Sequence, residues 1–294
     1  MHIENAGSCG GVTSRKPTIE EVFGSDDGQL LQDRKYKEAY DVSRKRIDPA
    51  VIGSKDLVNH YRCCMLVGKT EEAFRIKEQL KKLIKEKFQT TPYEIKTFAD
   101  TIRGEGRDTE AILFYQIAAE FYGIQSKAGL VRIRNCASGV QRSVQAMLSR
   151  DKELKLFVRT HVIPLMREMR EKIRRSDDVS EEDRCLEEVL CLHRIECSEG
   201  LVGDLDSREK TVKEGIALME RVFKERVGKH SVYGTCLNNL GSTYGRTSRP
   251  KDACEYFRKA IAAYGKAEDI NDDLRDKKIA GSKQGVKDAK SKMK

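Results

Sequence analysis

The stretch of this sequence most suggestive of chemistry is Gly68-Lys69-Thr70. It matches the tail of the phosphate-binding loop G-x-x-x-x-G-K-[ST], whose backbone N–H groups cradle phosphates while the lysine reaches the outer ones. The first glycine of that loop would fall at position 63, which is Cys63. A Cβ there crowds the backbone where it must curl around phosphate. The loop also needs a preceding apolar strand. Here "SKDLVNHYRCCML" has helical spacing through Val58, Tyr61 and Met65, with His60 and Arg62 in its middle. No second strand with a magnesium-binding Asp follows. Gly68 is therefore expected to turn a corner, not to hold a nucleotide.

A second candidate is Cys185, Cys191, His193 and Cys197, which crowd within thirteen residues. Zinc comes to mind, but structural sites favour tight C-x(2–4)-C knuckles. On one continuous helix, successive spacings of six, two and four scatter these side chains at about 100° per residue. Buried thiols among Leu186, Val189, Leu190 and Ile195 are expected instead. Cys63 and Cys64, adjacent on a helix, face different ways. His2, His60, His161, His193 and His230 are far apart, and none lies in a glycine-rich turn resembling a nucleophile elbow. The paired acids Glu71-Glu72, Glu181-Glu182, Glu187-Glu188 and Asp272-Asp273 fit helix starts or exposed faces, where solvation and the helix dipole account for them. No catalytic residue, metal or cofactor is expected, and the chain does not look like an enzyme.

The elements that position these residues follow from composition and periodicity. The 294 residues are 38% hydrophobic and 35% charged, with five prolines, a helix-forming mixture with a highly charged surface. No apolar run approaches the 18 residues of a membrane span. The opening "MHIENAGSCGGVTSRKP" lacks the apolar core of a secretory signal. Nine scattered cysteines, an odd number, favour reduced thiols in a cytoplasmic or nuclear setting, the cytoplasm being expected, over a disulfide framework. The net charge of +9 invites a nucleic-acid reading, but most of it is Lys and Arg mixed with acids on solvated helix faces.

Four segments share a pattern: "KYKEA" (Lys35 to Ala39), "KTEEA" (Lys69 to Ala73), "RDTEA" (Arg107 to Ala111) and "RPKDA" (Arg249 to Ala253). Each has a basic residue, an acid and an alanine, and each opens a helical pattern. The first three alanines are 34 and 38 residues apart, and the fourth follows after about four more periods. A period near 34 with a small residue early in the second helix marks stacked helix–turn–helix repeats. In "TCLNNLGSTYGRTSRPKDACEYFRKAIAAY", Leu237, Leu240 and Tyr244 share a face and Gly241 permits close helix approach. Pro250 stands at a helix start, where its missing N–H costs nothing.

On these residues the chain resembles the tetratricopeptide repeat (TPR) family. Leu237, Leu240, Gly241 and Tyr244 match its first-helix positions, and Ala253, Phe257 and Ala260 its second-helix positions. The last copy looks like the kinesin-light-chain type. A second good copy runs from Tyr93 to Tyr122, with Ile95, Phe98, Ala99 and Ile102 on one helix and Ala111, Tyr115 and Ala118 on the next. The copy holding Gly68 has Lys77 where an aromatic is usual, and the first copy is little more than a second helix from Tyr36 to Ile47. The resemblance implies an all-α, right-handed superhelical solenoid of antiparallel helix pairs, with degenerate middle repeats between Ser126 and about Glu225. The expected layout is a disordered segment over 1–24 and a repeat domain over 25–265, clearest at 54–87, 92–125 and 234–265. A basic flexible tail over 266–294 completes it. In the middle, Pro164 should interrupt one helix, and the segment from Ser176 to Gly200 should form another that ends in a glycine.

The family's role, to hold a peptide or partner helix in a concave groove lined by first helices, implies a protein-binding scaffold or adaptor. By position, the groove residues are Asn238, Asn239, Ser242 and Arg246 in the last repeat, Lys96, Asp100 and Arg103 in the Tyr93 repeat, and Arg62 in the Gly68 repeat. Chaperone-binding members use a Lys and an Asn one turn apart, and here an acid, Asp100, replaces that Asn. The rival reading is a helical-repeat nucleic-acid binder using the basic surface and tail. Aromatics are only 6%, with no Trp, and no aromatic–basic alternation offers a base-stacking platform. If Gly68-Lys69-Thr70 is a turn, Lys69→Ala should change stability by less than about 0.5 kcal/mol. Melting curves of parent and variant should then be unmoved by ATP or GTP with magnesium. A saturable shift that the variant loses would overturn the turn assignment.

Overall fold

The computed structural model describes residues 35–46, 54–87 and 90–293. The segment over 1–24 lies outside them, as does Cys9. Among the described residues the chain is all-α, without strands, and no helix is long and apolar enough to cross a membrane.

The order is α1 (Tyr36–Arg46), α2 (Ser54–Leu66), α3 (Thr70–Lys87), α4 (Pro92–Gly104), α5 (Asp108–Phe121) and α6 (Lys127–Arg150). Next comes an interrupted helix: a 3-10 turn (Lys152–Leu154), α7 (Lys155–Phe157), a π turn (Val158–Val162) and α8 (Ile163–Arg174). Then follow α9 (Glu181–Val202), α10 (Leu205–Phe223), α11 (Ser231–Arg246), α12 (Pro250–Lys266) and α13 (Asp272–Ser291). The expected break at Pro164 is this π turn. Proline offers no N–H to the carbonyl one turn earlier, and widening that turn absorbs the defect.

The hairpins reverse by one device. Gly68, Gly106 and Gly203 have φ near +80°, and Ser248 has φ +56°. In each case the next residue donates its N–H to the carbonyl five residues back: Lys69 to Cys64, Arg107 to Ile102, Asp204 to Glu199 and Arg249 to Tyr244, at 2.8–3.0 Å. Only a left-handed residue lets the chain fold back this tightly on the last helical turn. Gly68 is thus a helix-terminating corner, and the same corner recurs at Gly203 within the blurred middle. Gly200, the expected terminator there, lies inside α9 with the Arg208 side chain against it, and the stop comes three residues later.

Other start signals are equally local. Thr91 and Glu94 form a reciprocal capping box before α4, with Pro92 in its first turn. Ser126 and Ser180 cap α6 and α9, and Pro250 opens α12.

Packing follows small residues. Ala39, Ala73, Ala111 and Ala253 are all buried. A Cβ on Gly241 would meet the Phe257 ring at 3.0 Å, and one on Gly139 would meet Tyr115 at 2.3 Å, so helix α11 approaches α12, and α6 approaches α5, only because the side chain is absent. Lys77 is buried, with its ammonium 3.0 Å from Glu120 and its charge over the Phe74 ring. The apolar core runs in an N-terminal section and a C-terminal section that meet at α9. Cys191, Leu192 and Ile195 face the first, and Cys185 and Val189 the second.

The C-terminus departs from the composition-based expectation. Residues 272–291 form α13, which packs on the last hairpin: Gly285 lies against Phe257, the Cys254 thiol reaches the Val286 carbonyl, and Ser282 and Ala289 are buried. Small residues make the closest of these contacts, joined by the partly buried Ile279 and Val286. Overpacking tests the crossings. Ala111→Leu and Ala253→Leu should each cost about 1–3 kcal/mol in chemical denaturation, and unchanged midpoints for both would show that the helix pairs are wrongly matched.

Candidate functional site

Most of the residues assigned to a groove by position bridge neighbouring hairpins. Asn239 on α11 donates from Nδ2 to Glu196 Oε1 at 2.6 Å and stands 3.1 Å from His193 Nδ1, both on α9. Asn238 accepts from Ser282 Oγ of α13 at 2.8 Å. Arg246 is exposed and donates to the Gly200 carbonyl at 3.3 Å, while Ser242 is half-buried. Arg62 pairs with Glu110, which is fully buried and also meets Arg107. Arg62 thus joins α2 to α5 instead of facing a ligand.

Lys96 and Arg103 belong to a partly open cluster. Lys96 bonds Asp100 one turn along α4, Tyr115 of α5 donates to the other Asp100 oxygen at 2.5 Å, and Arg103 donates to the Tyr115 hydroxyl at 3.3 Å. Arg142 of α6, half-exposed, stands 3.7 Å from the same carboxylate. Burial pushes the Asp100 carboxyl up, but hydrogen bonds from Lys96 and Tyr115 outweigh it and hold the group below its usual range. Asp100, which stands where a chaperone-type site would have Asn, therefore organises three cations around itself.

The paired acids Glu187-Glu188 are not on an exposed face. Glu187, Glu188, Glu196 and Glu199 of α9 are each 5% exposed or less. Every one has an arginine partner: Arg134 of α6 reaches Glu187 at 2.9 Å, Arg170 of α8 reaches Glu188 at 2.7 Å, Arg208 of α10 reaches Glu196 at 2.7 Å, and Arg167 of α8 reaches Glu199 at 2.6 Å. Burial raises Glu188 and Glu199, with their arginines offsetting part of it. Glu196 feels the same burial, yet hydrogen bonding from His193 and the Arg208 charge bring it below the usual range. These arginines went unnoticed in the sequence because each is far along the chain from its partner. The signal in the sequence is a helix with Val189, Cys191, Leu192 and Ile195 interleaved among Glu187, Glu188, Glu196 and Glu199, too apolar for those acids all to face water.

Cys185, Cys191, His193 and Cys197 do not gather at one point, in line with the scatter expected from their spacing on one helix. Cys185 points at Leu218 and Met219, Cys191 sits in the other core section, and only His193 and Cys197 stay together, with Sγ 3.8 Å from Nδ1. Burial pushes the Cys185, Cys191 and Cys197 thiols up to about 12, so they are neutral and poorly nucleophilic at physiological pH. Around Gly68-Lys69-Thr70 lies an open cleft of about 480 Å³ lined by Arg44, Lys69, Glu71, Glu72 and Arg75 among others. Thr70 Oγ1 meets His161 Nε2 at 3.0 Å.

No protein-family model matches this chain, and no curated protein matches it at a significant level. The α9 pairs give a test that needs no ligand. Arg208→Met strands Glu196 in the interior and should cost about 3–5 kcal/mol, whereas Arg208→Met with Glu196→Met should recover most of it. Equal losses in the single and double variants, measured by denaturant unfolding, would show that the pair is not coupled.

Proposed function

We propose that this chain is a non-enzymatic protein-interaction scaffold: a TPR-like α-solenoid that holds an acidic peptide or partner helix along its first helices. The observation that carries the reading is the left-handed reversal repeated at Gly68, Gly106, Gly203 and Ser248, with helix packing that passes from each hairpin to its neighbours. Such stacking is the construction of repeat arrays, whose extended surface is used for partners. On this reading α2, α4, α6, α9 and α11 are first helices, and α13 is the terminal cap with a polar outer side. The step from architecture to binding rests on likeness of construction.

The electrostatics narrow the position. Asn238 and Asn239 already serve internal contacts, so the partner is held instead at the α4–α6 face. There Lys96, Arg103 and Arg142 surround a single carboxylate, Asp100. Arginine and lysine in this arrangement recognise a carboxylate by charge-assisted hydrogen bonds.

The test is a pull-down from nuclease-treated native lysate with the full chain and with Lys96→Glu/Arg142→Glu. Both altered side chains border Asp100, so melting should fall somewhat, and the comparison is made at a temperature where both proteins are folded. Loss of charge-assisted contacts removes about 1.5–3 kcal/mol each, roughly ten- to hundredfold in affinity, and a defined set of proteins should be depleted. Identical recovery from parent and variant would exclude this face. Recovery that disappears with nuclease would favour the nucleic-acid reading.

A further inference from the structure

A cluster that sequence spacing does not connect lies across the first hairpin. His60 and Cys64 are one turn apart on α2, and Glu72 enters from the first turn of α3. His60 Nε2 lies 2.9 Å from Glu72 Oε1 and 3.5 Å from Cys64 Sγ, and the three donor atoms lie within 4.8 Å of one another. His60 and Cys64 are buried, at 2% and 0% exposure.

The protons around His60 decide what this cluster can hold. Ser43 Oγ donates its one proton to the Tyr40 carbonyl at 2.9 Å. With that proton so placed, its contact with His60 Nδ1, also 2.9 Å, is filled by an Nδ1–H. In neutral imidazole this leaves Nε2 as a bare lone pair, aimed at a carboxylate oxygen. The other Glu72 oxygen accepts from the Tyr40 hydroxyl at 2.7 Å, and the Tyr40 ring stacks on His60. In that tautomer the Nε2 lone pair and Glu72 Oε1 face each other beside Cys64 Sγ, three donors converging where a cation fits.

We propose that His60 Nε2, Cys64 Sγ and Glu72 Oε1 bind a divalent zinc-type cation that clips α2 to α3. Imidazole, thiolate and carboxylate are the donor set zinc prefers. One thiolate and one carboxylate neutralise the ion, which suits a buried location. Bonds of 2.0–2.3 Å in tetrahedral geometry separate donors by about 3.3–3.7 Å. The Nε2–Sγ distance fits already, and the Nε2–Oε1 distance opens by a small shift of Glu72, whose side chain is 34% exposed. A fourth position is left for water. Ser43 and Tyr40 orient the ligands from outside, the arrangement that tunes metal sites generally. Binding replaces the Cys64 S–H bond by an S–metal bond and releases that proton to solvent.

The other compact cluster, His193, Glu196 and Cys197, is a poor rival. The Asn239 amide already donates to Glu196 Oε1, His193 Nδ1 is bonded to that same oxygen, and Arg208 holds the second Glu196 oxygen. A cation there would displace one and repel the other.

The experiment uses the full chain, chelator-treated and kept reduced with a phosphine, titrated with Zn²⁺ alone by calorimetry in two buffers and with Co²⁺ by absorption. The expected result is one ion per chain, release of about one proton per ion, and a thiolate-to-cobalt charge-transfer band. Cys64→Ser should remove the band and weaken Zn²⁺ binding by more than about a hundredfold, and Ser43→Ala should weaken it by about tenfold with the band kept. Cys197→Ser should behave as the parent. If Cys64→Ser does not fold, Glu72→Gln, at a partly exposed position, carries the affinity measurement. Parent binding no tighter than the ligand variants would overturn the proposal and leave His60 as an imidazolium paired to Glu72. Loss of the band in Cys197→Ser would overturn it in favour of the α9 cluster.

Discussion

Four glutamates on one helix, α9, are taken almost wholly out of water, and the middle of the molecule is arranged around that constraint. An unpaired buried carboxylate costs several kcal/mol, so each needs a cation, and the cations come from other helices: Arg134 from α6, Arg167 and Arg170 from α8, and Arg208 from α10. The pairs add little net stability over an apolar interior, because desolvation cancels most of the attraction. What they do is make other registers expensive. A helix slid by one turn along α9 would face an apolar side chain with its arginine and strand a glutamate.

This also accounts for part of the chain's charge. Arginines that inflate the net positive value are engaged inside the fold, and Lys77 and Arg107 are buried beside carboxylates in the N-terminal hairpins. The net charge of the sequence therefore overstates the field available for steering a polyanion. Exposed cations such as Arg142 matter more for partners than the total does.

The hairpin reversals set the geometry within which these pairs meet. A helix pair joined by a tight left-handed corner leaves both flanks apolar, and the neighbouring hairpins cover them. Polar side chains on the first helices then sit where one hairpin meets the next. Asn239 with Glu196, Asn238 with Ser282, Arg134 with Glu187 and Arg142 with Asp100 all cross such junctions. An amide that could hold a peptide backbone can equally hold the adjacent helix, and in the last hairpin it does so.

Much of the local design is legible in the residues themselves. Glycine before a basic residue, Thr91 before Glu94, Pro250 at a helix start and alanines at the crossings each act through neighbours a few positions away, so all-helical hairpins and their corners can be read directly. The Gly203 corner, where an acid follows in place of a base, shows where such reading loses its grip. Partners distant in the chain were decided only by tertiary structure. Glu187 and Glu188 look like solvated acids until Arg134 and Arg170 close over them, and the Lys-rich end looks frayed until Gly285 and Ser282 fit against α12 and α11. His60, Cys64 and Glu72 become one cluster only when the Gly68 corner folds α3 back on α2. Charge, burial and donor geometry depend on through-space distance, which sequence spacing conveys within a helical turn and not beyond it.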